Sequence, residues 1–135
     1  MSIGKIRILV VENDDVNAQV ARTMLERLGC RVDVAVDGAK ALERFRGQAY
    51  DLIFMAWQLP IMDGLEATAR IRSLPQGRTV PIIGTSARVG RTECLAAGMN
   101  DLMPKPFRLE AMKQELSKWT PWREDAQTEP RQSPD

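Results

Sequence analysis

Residues 51–67 read DLIFMAWQLPIMDGLEA, and the reading of this stretch decides the fold. The run at 52–55, LIFM, is apolar at every position and too short for a helix. It reads as a strand buried on both faces. Pro60 and Gly64 then punctuate a loop. A helix is expected over 65–73, with Ala67 and Ile71 one turn apart on its buried side. A strand covered on both faces and followed by a helix is the repeating unit of a parallel sheet. Where the apolar run opens onto the turn stand Ala56 and the bulky Trp57. A strand end of this kind usually presents a reactive side chain, and here it presents a methyl group.

The same unit recurs on either side. IRILVV at 6–11 is a second continuous apolar, β-branched run. Val16, Val20, Met24, Leu25 and Leu28 follow at helical spacing, stopped by Gly29. A short alternating strand is expected over 31–36. Asp37 can cap the next helix, which carries Ala41, Leu42 and Phe45 and ends near Gly47. Further along come a strand over 81–85, a weak helix over 89–97 that contains Gly90, and a short strand over 101–103. Leu109, Met112, Leu116 and Trp119 mark a last helix, with the first three expected in the core. Strict alternation of strand and helix implies a doubly wound parallel sheet. Such a sheet puts its site at the C-terminal ends of the strands, here residues 12–15, 56–58, 86–88 and 103–107.

The bulk properties narrow the function. The 135 residues fit one domain, 44% hydrophobic and 27% charged. Nineteen basic and 18 acidic residues leave a net charge of +1, with no push toward nucleic acid or anionic membrane. No apolar stretch of about 18 residues is present to span a bilayer, and the N-terminus has no signal-peptide pattern. A cytoplasmic location is expected. The chain has no histidine, which removes His triads, His-ligated zinc and a phosphohistidine of its own. Cys30 and Cys94, far apart in sequence, read as buried free thiols. A single domain is expected over 1–119, with 120–135 as a polar, Pro-containing tail or linker without fixed structure.

The strand ends carry a distinctive set. Glu12, Asn13, Asp14 and Asp15 follow the first strand, Ser86 the fourth, and Lys105 sits in the stiff segment Met103-Pro104-Lys105-Pro106. Carboxylates facing a lysine and a hydroxyl suit Mg²⁺ and a phosphoryl group. Equally, Glu12, Asp14 and Asp15 can do no more than cap the first helix. Composition leaves both readings open.

ILVVENDDVNAQVARTMLERLGCRVDVAVDGAKAL, DLIFMAWQLPIMDGLEATARIR, PIIGTSA and GMNDLMPKPF occur in this order and resemble the receiver domain of two-component response regulators. The version is the one often attached to hybrid histidine kinases, and the likeness covers residues 5–119. It implies a flavodoxin-like five-stranded parallel sheet of order 2-1-3-4-5 with five helices. In that family an aspartate ending the third strand accepts a phosphoryl group from phosphohistidine, and the matching position holds Ala56. The acidic pair that holds Mg²⁺ falls on Glu12 and Asn13, so its second acid is an amide. The hydroxyl switch falls on Ser86, the lysine of the KPF turn on Lys105, and the aromatic switch on Leu102, which has no ring. Asp63 matches a turn residue. A Mg²⁺ site, if there were one, would draw on Glu12, Asn13 and the Gln58 carbonyl. None is expected unless position 56 held aspartate.

The resemblance therefore implies a phosphorelay receiver, not an enzyme, that cannot be phosphorylated at the usual site and acts through protein partners. Partners of this kind are a histidine kinase, a phosphotransfer domain, an effector or a second copy through 89–119. The alternative is a normal phosphoaccepting receiver carrying an engineered Asp-to-Ala change at position 56. Asn13 and Leu102 favour natural loss, because one engineered change would not alter them. Lys105, without its usual carboxylate, is expected to turn to Glu12. A flavin-binding domain would need a Gly-rich phosphate loop where ENDD stands. An aspartyl-phosphate hydrolase would need the missing aspartate. No helix-turn-helix follows to bind DNA. Trp122, a lone indole in the tail, is expected to dock somewhere.

Overall fold

The computed structural model describes residues 5–86 and 90–124. Five parallel strands form one sheet: β1 (Arg7–Val11), β2 (Arg31–Ala35), β3 (Leu52–Ala56), β4 (Ile82–Ser86) and β5 (Asp101–Pro104). Their order is β2-β1-β3-β4-β5. The helices between them are α1 (Asp15–Arg27), α2 (Gly38–Gly47), α3 (Gly64–Arg72), α4 (Arg91–Ala96) and α5 (Leu109–Trp119). This is the flavodoxin-like arrangement expected. The chain leaves β1 toward β2 and returns toward β3, so the switch point lies between β1 and β3.

The apolar runs bury both faces as their composition requires. Along β1, Ile8 and Val10 enter one core with Leu25, Phe54, Met112 and Leu116. The alternate residues Leu9 and Val11 enter the other with Ile53, Met55, Ile71 and Ile82. Three aspartates cap helices. Asp14 accepts from the N–H of Val16 at 2.8 Å, Asp37 from Lys40 at 2.7 Å and Asp63 from Glu66 at 2.9 Å. Both thiols are buried and free, and burial pushes that of Cys30 up to about 12. No helix among the described residues is long and apolar enough to cross a membrane.

Several expected boundaries move. β3 and β4 run on to Ala56 and Ser86, because the ladder continues through the pair Ala56–Thr85. α4 is shorter than 89–97 and starts at Arg91 after Gly90, while residues 87–89 lie outside the described residues. A 3-10 turn at Pro75–Gly77 had no counterpart in the sequence reading. Leu109, expected in the core, is 40% exposed at the first position of α5.

The packing also passes the expected boundary at 119. Trp122 is 4% exposed and belongs to the core of Leu25, Leu28 and Leu116. Its Nε1 donates to the Leu28 carbonyl at 2.7 Å. Thr120 turns the chain, donating from Oγ1 to the Leu116 carbonyl and accepting from the Trp122 N–H. The first residues of the expected tail are thus part of the domain, and 125–135 lie outside the described residues.

Candidate functional site

Glu12 and Ala56 reach the switch point by register. Val11 and Met55 are partners across β1 and β3, so the next residue of each strand stands at the mouth of the crevice. Glu12 is buried, and its backbone N–H donates to the Ala35 carbonyl at 2.9 Å. Its Oε2 accepts from the N–H of Asp14 at 3.1 Å. Its Oε1 lies 2.7 Å from Lys105 Nζ, an ion pair whose approach is off the line of a hydrogen bond. The expected turn of Lys105 toward Glu12 is therefore present. The lysine is one-fifth exposed, its N–H is tied to the Ser86 carbonyl at 3.0 Å, and its ammonium stands 6.0 Å from the centre of the Phe107 ring. Ser86 is buried at the end of β4, opposite Pro104.

Ala56 is buried and its carbonyl is crowded by the start of α3. A Cβ at Gly64 would stand 2.0 Å from that oxygen, so only glycine fits there. Trp57 is pinned by its backbone, donating to the Thr85 carbonyl and accepting from the Gly64 N–H at 2.8 Å. Its indole lies on Gly90, where a Cβ would fall 1.8 Å from ring atom Cζ3. Leu102 is half-buried and packs against the second core beside Gly84.

The donor set does not fit Mg²⁺. That ion requires near-octahedral oxygen ligands at about 2.0–2.1 Å and gives up its water reluctantly. Of the side chains at the mouth, Ala56 has no oxygen, Asn13 is an exposed amide, and both oxygens of Glu12 are already engaged. Asp14, the nearest further carboxylate, is the helix cap. No group of three His, Cys, Asp or Glu able to hold a metal exists among the described residues.

A second polar cluster escaped the sequence reading. Asp101, buried at the start of β5, pairs with Arg91 at 3.1 Å and Lys118 at 3.2 Å, and accepts from the Leu102 N–H at 2.8 Å. Burial alone would raise its carboxyl. The Leu102 N–H, Lys118 and Arg91 outweigh that and hold it below the usual carboxylate range. Glu115 moves the other way. Burial and the Asp101 charge push its carboxyl up, against the Trp119 Nε1 bond at 2.9 Å. Arg91 and Lys118 stand 10 and 17 residues from Asp101 in the chain, and no local spacing joins them to it.

A five-stranded parallel sheet of this order, with an acid and a lysine meeting at its switch point, defines an α/β domain whose site lies at the strand ends. The chain belongs to the response regulator receiver domain family, whose model matches residues 8–117. It is 34% identical to the aerobic respiration control sensor protein ArcB of Escherichia coli, over 95% of this chain and 17% of the relative. It is 33% identical to probable histidine kinase 1 of Oryza sativa, over 89% of this chain and 16% of the relative. The chain thus spans about a sixth of the length of these relatives. Among solved structures, a sensor histidine kinase receiver domain from Pseudomonas aeruginosa is 42% identical with a TM-score of 0.80, covering 86% of this chain and 98% of that one. That protein holds a magnesium ion in its active-site cleft. The Ssk1 receiver domain of Saccharomyces cerevisiae, crystallised with the phosphotransfer protein Ypd1, is 26% identical with a TM-score of 0.79, covering 88% and 91%.

Proposed function

We propose that this receiver domain of a two-component phosphorelay is not phosphorylated at the usual position and signals by protein–protein contact, as a non-enzymatic cytoplasmic module. The observation that carries the reading is Ala56. It stands at the switch point beside Glu12, where the family resemblance puts the phosphoacceptor, and its methyl group has no oxygen to take a phosphoryl group. Lys105, which would hold the phosphoryl oxygens, instead neutralises Glu12. Asn13 supplies an amide where the magnesium site would want a carboxylate, and Leu102 has no ring to rotate. No cofactor is required for this role.

The partner is a kinase, a phosphotransfer domain, an effector or a second copy. The face we assign to it is formed by α4, β5 and α5, where Leu95 and Leu109 are exposed and Asp101 ties Arg91 to Lys118. Val89, also assigned to this face from the sequence, lies outside the described residues.

Acetyl phosphate labelling read by intact mass tests the proposal. Ala56→Asp alone is expected to label poorly, and Ala56→Asp with Asn13→Asp better, because the second change returns a metal ligand. Full Mg²⁺-dependent labelling of the single variant on the minute scale would overturn natural loss. It would mark an ordinary receiver carrying an engineered Asp-to-Ala change at position 56.

A further inference from the structure

The geometry points to an anion-binding cleft at the N-terminal edge of the sheet, far from Lys105, that takes a compact phosphate-type anion such as pyrophosphate. Lys5, Arg7 and Arg31 line a cleft of about 390 Å³ there, with Tyr50 and the acids Glu26 and Asp33 also in its wall. Arg7 and Arg31 are register partners on adjacent strands. Like charges placed side by side on neighbouring strands repel, and a bound anion removes that repulsion.

The acids around the cleft do not supply the missing charge. Glu26 pairs with Arg22. Asp33 accepts from the Tyr50 hydroxyl at 2.6 Å and from Gln48 at 3.1 Å, and faces Arg44 at 4.0 Å. Asp51 accepts the backbone N–H of Arg7 at 2.8 Å. Among the described residues, none of Lys5, Arg7 and Arg31 forms an ion pair. Arg7 Nε is closed off from solvent and has no acceptor.

Ligand class follows from donor chemistry. Guanidinium groups present planar forks that match phosphate oxygens two at a time, and an ammonium adds a point charge. Three cations suit an anion of two or more charges. The largely polar lining favours a small hydrophilic anion over an apolar ligand.

The test titrates the full chain with sodium pyrophosphate at constant ionic strength, followed by amide chemical shifts and calorimetry. Saturation at or below about 1 mM is expected. The shifts should centre on residues 5–7 and 30–33. Arg7→Gln with Arg31→Gln should weaken binding about tenfold or more, while Arg108→Gln, at the exposed start of α5, leaves it unchanged. Should the double variant not fold, judged by circular dichroism, Arg7→Lys decides. It keeps the charge but loses the fork, and a weakening of about threefold is expected. Shifts that follow ionic strength without saturating, binding that survives these variants, or shifts centred on Ser86 and Lys105 would each overturn the site. Equal binding of citrate would overturn the phosphate preference.

Discussion

The two ends of the sheet handle charge in opposite ways. At the C-terminal ends of the strands, the buried acid Glu12 meets the lysine Lys105 at 2.7 Å, and each cancels the other. At the N-terminal edge, Arg7 and Arg31 stand side by side, and among the described residues neither side chain forms an ion pair. The first end is the one that the resemblance assigns to metal and phosphate, and there the buried acid and the lysine are committed to each other. The second end keeps its charge and is also where Trp122 folds back onto Leu28. What binds at an end of a parallel sheet depends on the charge left over after its own side chains have paired, as much as on which end it is.

The sharpest way to break this comparison lies at the N-terminal edge. Trp122→Ala empties a large buried site and orphans the Leu28 carbonyl, so a loss of about 3–5 kcal/mol is expected by urea unfolding. Trp122→Phe keeps most of the burial and loses the indole hydrogen bond, which costs about 1 kcal/mol. Equal stability of wild type and Trp122→Ala would return residues 120–124 to a dispensable tail.

At the opposite end, the Glu12–Lys105 pair should fail asymmetrically. Lys105→Met leaves an uncompensated carboxylate that is 4% exposed and should cost about 3 kcal/mol at neutral pH. Glu12→Gln leaves behind the more exposed lysine and should cost less, about 1–2 kcal/mol. Equal losses in chemical denaturation would contradict a pair held together by burial of the acid.

Gly90→Ala drives a methyl group into the Trp57 ring and should cost about 1–3 kcal/mol. In the Trp57→Ala background most of that cost should vanish, giving a measurable coupling in a double-mutant cycle. Additive losses would show that the indole does not set the position of Gly90.

The smallest effect is expected at Glu115. Its carboxyl is raised above the ordinary 4.5, first by burial and then by Asp101. The folded state therefore binds this proton more tightly than the unfolded state. Its contribution is fully present below about 4.5 and is lost as pH rises through the higher folded value. Glu115→Gln removes that loss and keeps an acceptor for Trp119. Relative to wild type, its melting temperature should rise by about 1–3 °C between pH 4 and pH 6. A flat difference across that range would contradict it.

Much of the fold was legible because it rests on local pattern. The runs at 6–11 and 52–55 had to be buried on both faces, and the helices between them required parallel strands. Asp37 announced its helix by standing just ahead of it, whereas Asp63, matched only to a turn, caps α3 in the structure. Glu12, Ala56, Ser86 and Lys105 were legible as a set because the sheet delivers every strand end to one place. Trp122 was not. Sixteen polar and Pro-containing residues hide one apolar anchor, whose partner, Leu28, is 94 residues away.

By itself, then, the sequence determined the alternation of elements and the identity of the side chains at the strand ends. These follow from short-range periodicity, capping and turn chemistry, which act over a few residues. Tertiary structure alone decided which charges cancel. Glu12 finds Lys105 and Asp101 finds both Arg91 and Lys118, whereas among the described residues the Arg7 and Arg31 side chains form no ion pair. Pairing depends on distances of a few ångströms between residues far apart in the chain, and only the packed sheet sets those distances.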